Sequence, residues 1–280
     1  MEGFDPASPE TMRLFALLGQ LLSFSEAEIY ALVAVFTRIA AVSALLPGFG
    51  EQMLPARVKL AAALAFTAIV WPAVAPGIDM SGAMLLGETS IPPFLLGRLL
   101  LAEAASGLAL GLAIRFMLFA LQLAGSMAAQ ATAVAQIFGA GATPDPMPAI
   151  GNLLVLAGIA LALAFGLHIK AVAAMIGSYQ VLPFGVFPVA GDLAAWGVGR
   201  GAEMFGLGFT LAAPFIVASL VYNVALGAIN RAMPQLMVAF VGAPAITAGA
   251  LFFLLLAAPV GLLHWSGRLD EILASPFGLR

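Results

Sequence analysis

Cysteine is absent from this 280-residue sequence, and charged residues are scarce. Without cysteine, the chain has no disulfide, no thiol nucleophile and no thiolate ligand for a metal. Asp, Glu, Lys and Arg make up only 9% of the residues, whereas a soluble domain contains about 25%. The formal net charge is −3 and the basic residues form no cluster, so nucleic acid is not an expected partner.

Side-chain patterns typical of catalysis are also missing. The sequence shows no paired carboxylates, no histidine and acid at helical spacing, and no activated serine. Its two histidines, His168 and His264, are far apart, and neither has a second metal ligand at helical spacing. We therefore predict that the protein is not an enzyme, and that it has no catalytic residue, no metal site and no cofactor.

Apolar residues dominate what is present. They make up 62% of the chain, and the mean hydropathy is +1.08. Apolar helices of about 20 residues can span a bilayer because they satisfy their own backbone hydrogen bonds. The sequence predicts an all-α integral membrane protein with about six long apolar helices that form one module in contact with lipid.

Prolines, glycines and charges divide this module into four parts. We expect an acidic arm over residues 1–25, a first hairpin over 26–78, central long helices over 94–180 and a C-terminal hairpin over 203–265. A single helix is expected from about 149 to 180 within the central part. The predicted turn of the first hairpin contains Pro47, Pro55, Arg57 and Lys59.

The central apolar segment is too long for a simple membrane crossing. A helix over 104–138 would be about 52 Å long, against a hydrocarbon core of about 30 Å. At about 100° per residue its polar side chains fall on one face. Such a face indicates either a seam bonded to neighbouring helices or the wall of a water-filled passage. The stripe contains Arg115, Gln122, Ser126, Gln130 and Gln136, and in the second case it would be a channel-facing stripe.

The loop at 136–148 follows this helix and is rich in proline and glycine. Ile137 and Phe138 supply apolar bulk beside the flexible Gly139 and Gly141. Such a loop is either mobile or held by its surroundings.

Three cations lie within or beside apolar runs, as a small-molecule transporter would need. They are Arg38, Arg115 and Lys170, and no carboxylate falls inside an apolar run to pair with them. The sequence therefore gives the transporter hypothesis little support.

A short polar elbow divides the last two apolar runs. Arg231 is the only formal charge between Met204 and Gly267. Pro234 lacks a backbone N–H and ends the preceding helix. We expect Asn230, Arg231, Pro234 and Gln235 to hold this turn, and small residues such as Ala212, Ser219 and Gly249 to contact partner subunits.

Four motifs in order resemble the FliR family of flagellar export-gate proteins. They are Leu46-Pro47-Gly48-Phe49-Gly50 with the following Leu54 to Leu60, Ile114-Arg115-Phe116 through to Asp145-Pro146, Gly166-Leu167-His168, and Ala225 to Leu236 around Asn230-Arg231. Together they cover most of the chain.

The resemblance implies a non-catalytic subunit of a gate in the bacterial inner membrane, at the flagellar basal body. Its partners would be FliP-like and FliQ-like gate subunits, FlhB-like and FlhA-like export components, and unfolded flagellar subunits. The central loop would plug the closed pore through Ile137, Phe138, Gly139, Gly141, Asp145 and Pro146. The injectisome counterpart is the second hypothesis, and an unrelated small-molecule transporter is the third.

Overall fold

The computed structural model describes residues 26–78, 92–132, 149–233 and 238–278. Within these ranges the chain forms seven α-helices and no strand, which confirms the all-α prediction. Five of the described helices are long and apolar enough to cross a membrane, and the bent helix pair Ile150–Ala164 and Leu167–Val181 is a sixth candidate. The predicted arm over 1–25 lies outside the described residues. The helices are α1 Glu26–Leu45, α2 Ala56–Val74, α3 Pro93–Thr132, α4 Ala149–Ala164, α5 Leu167–Val181, α6 Ala190–Ala232 and α7 Val238–Ala274.

Helices α1 and α2 form the first hairpin. Pro47 is buried in the turn, and Pro55 directly precedes the first residue of α2 in an extended conformation. Lys59 lies one turn into α2 and donates from Nζ to the Gly50 carbonyl at 3.2 Å, which ties the two sides of the turn together. Arg57 is exposed at the start of α2. The turn therefore lies between Leu45 and Ala56.

Helix α3 is the central element of the fold. Its 40 residues extend about 60 Å, and it packs against α1, α4, α6 and α7. It runs parallel to α1, because Gly107 lies against Arg38 and Ala41 whereas Gly111 lies against Val42 and Leu45. The buried core follows the same helix and includes Leu110, Ile114, Leu118 and Leu121 from α3 with Met175 from α5 and Trp265 from α7.

The segment expected to be one helix over 149–180 is two helices. Helices α4 and α5 meet at an angle of 76°. Gly166 stands at the break with φ of +77°, a left-handed conformation that glycine adopts without a Cβ clash. This break directly precedes His168, which is exposed in the first turn of α5. The expectation of a continuous helix was wrong because a lone glycine does not by itself stop an apolar helix.

Helices α6 and α7 form a long antiparallel hairpin of 43 and 37 residues. Helix α6 runs beside α3: Gly208 lies against Leu123, and Ser219 Oγ donates to the Ala131 carbonyl. The two outer ends of the hairpin are tied where Trp196 Nε1 donates to the Pro276 carbonyl at 3.1 Å. Much of the surface of this hairpin remains exposed and apolar.

Candidate functional site: the polar strip of helix α3

The second half of α3 carries an uncharged polar strip. Gln122 and Ser126 are half-buried, and Gln130 is exposed. Ser126 Oγ donates to the Leu123 carbonyl of its own helix at 2.8 Å, so this hydroxyl is satisfied without a neighbouring helix. Gln136, the last residue of the predicted stripe, lies outside the described residues. We call Gln122, Ser126 and Gln130 the polar strip.

Two helices border the polar strip. Helix α4 approaches α3 at Gly125, where an added Cβ would lie only 2.2 Å from the Gly151 Cα. On the other side, α6 contacts α3 at Leu123 and Ala131. Helical spacing of about 100° per residue places the polar strip between these two contact lines. The small residues beside the strip thus form a helix seam, while the polar side chains themselves lie along the gap between α4 and α6.

Arg115, at the start of the predicted stripe, is paired with a carboxylate. Its Nη1 lies 2.7 Å from Glu51 Oε1, in the turn of the first hairpin. Its guanidinium carbon also lies 5.7 Å from the centroid of the Phe119 ring. The charge is therefore neutralised and partly covered within the subunit, and the strip beyond it carries no formal charge.

The exposed face of α3 changes its chemistry at this ion pair. Before Arg115 the face that carries the strip is apolar, and Phe94, Leu101 and Leu108 on it are 78%, 63% and 50% exposed. After Arg115 the same face carries the amides and hydroxyl of the polar strip. The Arg115–Glu51 pair therefore marks the boundary between an apolar surface suited to lipid or protein and a surface suited to water.

The other two cations also have carboxylate partners, contrary to the expectation from the sequence. Arg38 pairs with Glu103 at 2.8 Å, and both side chains are fully buried. Lys170 pairs with Asp270 at 2.7 Å between α5 and α7, in a more exposed position. The expectation was wrong because these partners come from segments 65 and 100 residues away, which only the folded topology brings together.

The elbow begins in the last turn of α6. Helix α6 ends at Ala232, and the Met233 N–H donates to the Ile229 carbonyl at 2.8 Å, as expected for the last turn. Asn230 lies in this last turn, and Arg231 is exposed. Pro234 and Gln235 lie outside the described residues.

The predicted plug residues, Ile137, Phe138, Gly139, Gly141, Asp145 and Pro146, also lie outside the described residues.

The small residues expected at a partner interface divide into two groups. Ala212 is buried inside the subunit, as is Ser219, which bonds to α3. Gly249 is exposed, with no atom within 4 Å of an added Cβ. Gly249 therefore has room for contact with another chain. Ala212 and Ser219 instead pack within this subunit.

Comparison with known proteins identifies the family. The family model described as bacterial export proteins, family 1, matches residues 29–272. The chain belongs to this family. Flagellar biosynthetic protein FliR of Caulobacter vibrioides is 32% identical over 88% of this chain and 95% of its own length. FliR of Escherichia coli is 28% identical over 74% of the chain and 76% of its own length. FliR of Bacillus subtilis is 27% identical over 76% of the chain and 80% of its own length.

The family and the helices together place the protein in the cell. Its relatives are flagellar biosynthetic proteins, and five or six of its helical segments are long and apolar enough to span a membrane. It is a multi-pass protein of the bacterial inner membrane and a component of the flagellar export apparatus. The sequence correctly predicted this family. It did not predict the buried pair of Arg38 and Glu103, because no local sequence pattern connects two residues 65 positions apart.

Proposed function

We propose that the polar strip of α3 forms part of the wall along which unfolded flagellar subunits leave the cell, and that this subunit is not catalytic. The main support is the strip itself, a polar surface without formal charge that continues beyond a neutralised arginine. Its position between α4 and α6 leaves Gln130 exposed at the surface of the subunit.

The chemistry of the polar strip suits a passage for many different sequences. Charged walls would retain segments of opposite charge, and strongly apolar walls would retain apolar segments. Amides and hydroxyls keep the wall hydrated and bind any one segment weakly, because water competes for each hydrogen bond. The same residue types also occur in seams between membrane helices, so an experiment must separate the two roles.

Replacing both half-buried members of the strip tests the proposal. Gln122→Leu with Ser126→Leu should lower the amount of flagellar subunit secreted into the medium several-fold, with a normal amount of assembled complex in the membrane. Thr210→Leu is a matched control, because Thr210 is an exposed hydroxyl on α6 that also bonds within its own helix. Equal secretion by the two variants would refute a role in the passage, whereas loss of the complex would indicate a helix seam.

We propose FliP-like and FliQ-like gate subunits as the neighbours of the α6–α7 hairpin, with FlhB-like and FlhA-like export components nearby. A broad apolar surface of the hairpin supports this assignment because it needs a cover of protein or lipid. The flagellar names of the relatives favour this set over injectisome partners. The exposed apolar side chains include Phe205, Phe209, Val221, Val224, Phe252, Leu255 and Val260.

Gly249 offers a direct test of this interface. Gly249→Leu adds a large side chain to an open position on α7, so it should prevent co-purification of the partners without unfolding the subunit. Gly177→Leu on α5 is a control with an equally open environment. A complex that survives Gly249→Leu intact would show that this face does not contact a partner.

We further propose that the loop over 136–148 blocks the passage at rest. The support comes from its sequence, in which Ile137 and Phe138 adjoin Gly139 and Gly141, and from its place between the end of α3 and the start of α4. Deleting residues 137–141 should make cells that contain the assembled complex leaky to small solutes. Membranes that stay tight would indicate that the loop is only a connection.

A further inference from the structure

The Arg38–Glu103 pair is the most deeply buried charged group among the described residues. Both residues have 0% relative exposure. Arg38 Nε lies 2.8 Å from Glu103 Oε2, and its Nη2 lies 3.0 Å from Oε1, so the two groups meet in the parallel, bidentate manner. This contact adds a polar link to the close packing of α1 on α3.

The same pair also holds the chain where α5 ends. Arg38 Nη1 donates to the Leu182 carbonyl at 3.0 Å and to Ser178 Oγ at 3.3 Å. The Gly185 N–H donates to Glu103 Oε1 at 2.8 Å. Each member of the ion pair therefore binds one backbone group of the same short segment, and the Tyr179 ring lies 3.9 Å from the Arg38 guanidinium carbon.

The segment over 182–189 makes its other backbone hydrogen bonds locally: the Leu182 N–H donates to the Ser178 carbonyl, the Val186 N–H donates to the Pro183 carbonyl, and the Val189 carbonyl accepts from the Leu193 N–H. It joins α5 to α6, and its two prolines, Pro183 and Pro188, have no N–H to donate. It also forms one wall of an open apolar cavity of about 440 Å³ together with Trp196 and Phe277. An irregular segment beside an open cavity would have many accessible conformations unless its polar backbone groups were held.

We infer that Arg38 and Glu103 are positioning residues that fix the 182–189 segment and thereby set where α6 begins. Two arguments favour this role over simple stabilisation of the core. A buried ion pair adds little net stability relative to well-packed apolar residues of similar volume, because desolvation offsets its attraction. The contacts with the Leu182 carbonyl and the Gly185 N–H, by contrast, are lost when apolar residues replace the charges.

This role has a consequence for the rest of the subunit. Helix α6 starts at Ala190, directly after the held segment, and it carries half of the long α6–α7 hairpin. Because α3 holds α6 farther along, at Gly208 and Ser219, a looser 182–189 segment would displace mainly the first turns of α6. Through Arg38, the pair thus connects α1 of the first hairpin to the start of α6 in the last hairpin. All of these contacts lie within the subunit and do not involve the polar strip.

The test replaces both charges at once in the purified full-length protein. Arg38→Met with Glu103→Leu removes the ion pair without leaving a lone buried charge, so the core should remain folded. Amide hydrogen exchange in peptides covering 182–189 should then become at least about tenfold faster, while exchange in the α3 core stays unchanged. Lys170→Met with Asp270→Leu is the control, because it removes another interhelical ion pair and should leave exchange at 182–189 unchanged.

A second measurement reports the position of α6. The chain has no cysteine, so cysteines placed at Met53 and Val198, which are 95% and 75% exposed, can carry the only two spin labels. The distance distribution between the labels should be broader in the Arg38→Met, Glu103→Leu protein than in the parent. A folded double variant with unchanged exchange and an unchanged distribution would overturn the inference. A double variant that does not fold would also contradict it, because the pair would then be needed to hold the core together.

Discussion

The close contact between α3 and α4 makes a strong prediction for Gly125. In Gly125→Ala the new Cβ would lie 2.2 Å from the Gly151 Cα and 2.5 Å from its backbone nitrogen. Carbon atoms in contact normally lie about 3.5–4.0 Å apart, so the helices must separate by more than about 1 Å at this point. No change of side-chain rotamer can relieve the clash, because both sides of the contact are backbone or Cβ.

The expected loss follows from two opposing terms. Overpacking of a close interface costs about 1–3 kcal/mol, and the severe overlap with rigid backbone favours the upper end of that range. Alanine gains about 1 kcal/mol over glycine in a helix interior. The net change for Gly125→Ala should be a destabilisation of about 2 kcal/mol. Gly177→Ala, which meets no atom within 4 Å, should instead stabilise α5 by about 0.5–1 kcal/mol.

Unfolding of the purified subunit in mixed detergent micelles, followed by tryptophan fluorescence, measures both effects. The buried Trp265 reports the core directly, because it packs beside α4 and bonds to α3. The two variants make the same chemical change, so the difference in their stability isolates the helix contact. Equal stability of Gly125→Ala and Gly177→Ala would refute the close approach of α3 to α4.

Three further substitutions test the polar contacts by unfolding in the same micelles, and circular dichroism replaces fluorescence for Trp265→Phe because that variant lacks the reporter. Arg38→Met should cost about 3–5 kcal/mol, because it leaves a buried carboxylate without a partner, and a loss below about 1 kcal/mol would contradict full burial of the pair. Arg115→Met should cost no more than about 1 kcal/mol, since water screens its partly exposed pairing with Glu51; a loss as large as that of Arg38→Met would mean that this pair is dry. Trp265→Phe removes the indole N–H that lies 2.7 Å from the Met117 carbonyl, which also accepts a backbone hydrogen bond within α3, so the loss should be about 1 kcal/mol. An unchanged unfolding midpoint for Trp265→Phe would show that this second hydrogen bond does not stabilise the fold.

Local sequence predicted the helix ends that depend on proline. Pro47 and Pro55 bracket the first turn, and α6 ends two residues before Pro234. In each case proline acts within the same turn, together with neighbouring polar or glycine residues. Proline alone does not end a helix here, because Pro72 and Pro214 lie inside α2 and α6. Gly166 was missed because glycine permits a break without requiring it. Its left-handed conformation becomes visible only in the folded chain.

The polar face of α3 could be predicted because helical periodicity alone brings its residues together. Its chemistry could be predicted only in part. Arg115 belongs to that face by spacing, yet its charge is neutralised by Glu51, which lies in a turn 64 residues earlier. Pairings of this kind depend on which turn of α3 lies beside the turn of the first hairpin. The packing of the helices sets this alignment, and no local sequence pattern indicates it.

Cross-linking to a flagellar subunit stalled during export tests the role of the polar strip most directly. The absence of cysteine allows a single cysteine at Gln122 to be joined to a single cysteine in the stalled subunit. Ile69 on α2, which is 58% exposed on a separate helix, supplies the control position. The proposed passage predicts a cross-linked product from Gln122→Cys and none from Ile69→Cys. No product from Gln122→Cys, in cells where the complex is assembled and the substrate is stalled, would contradict a channel-facing strip.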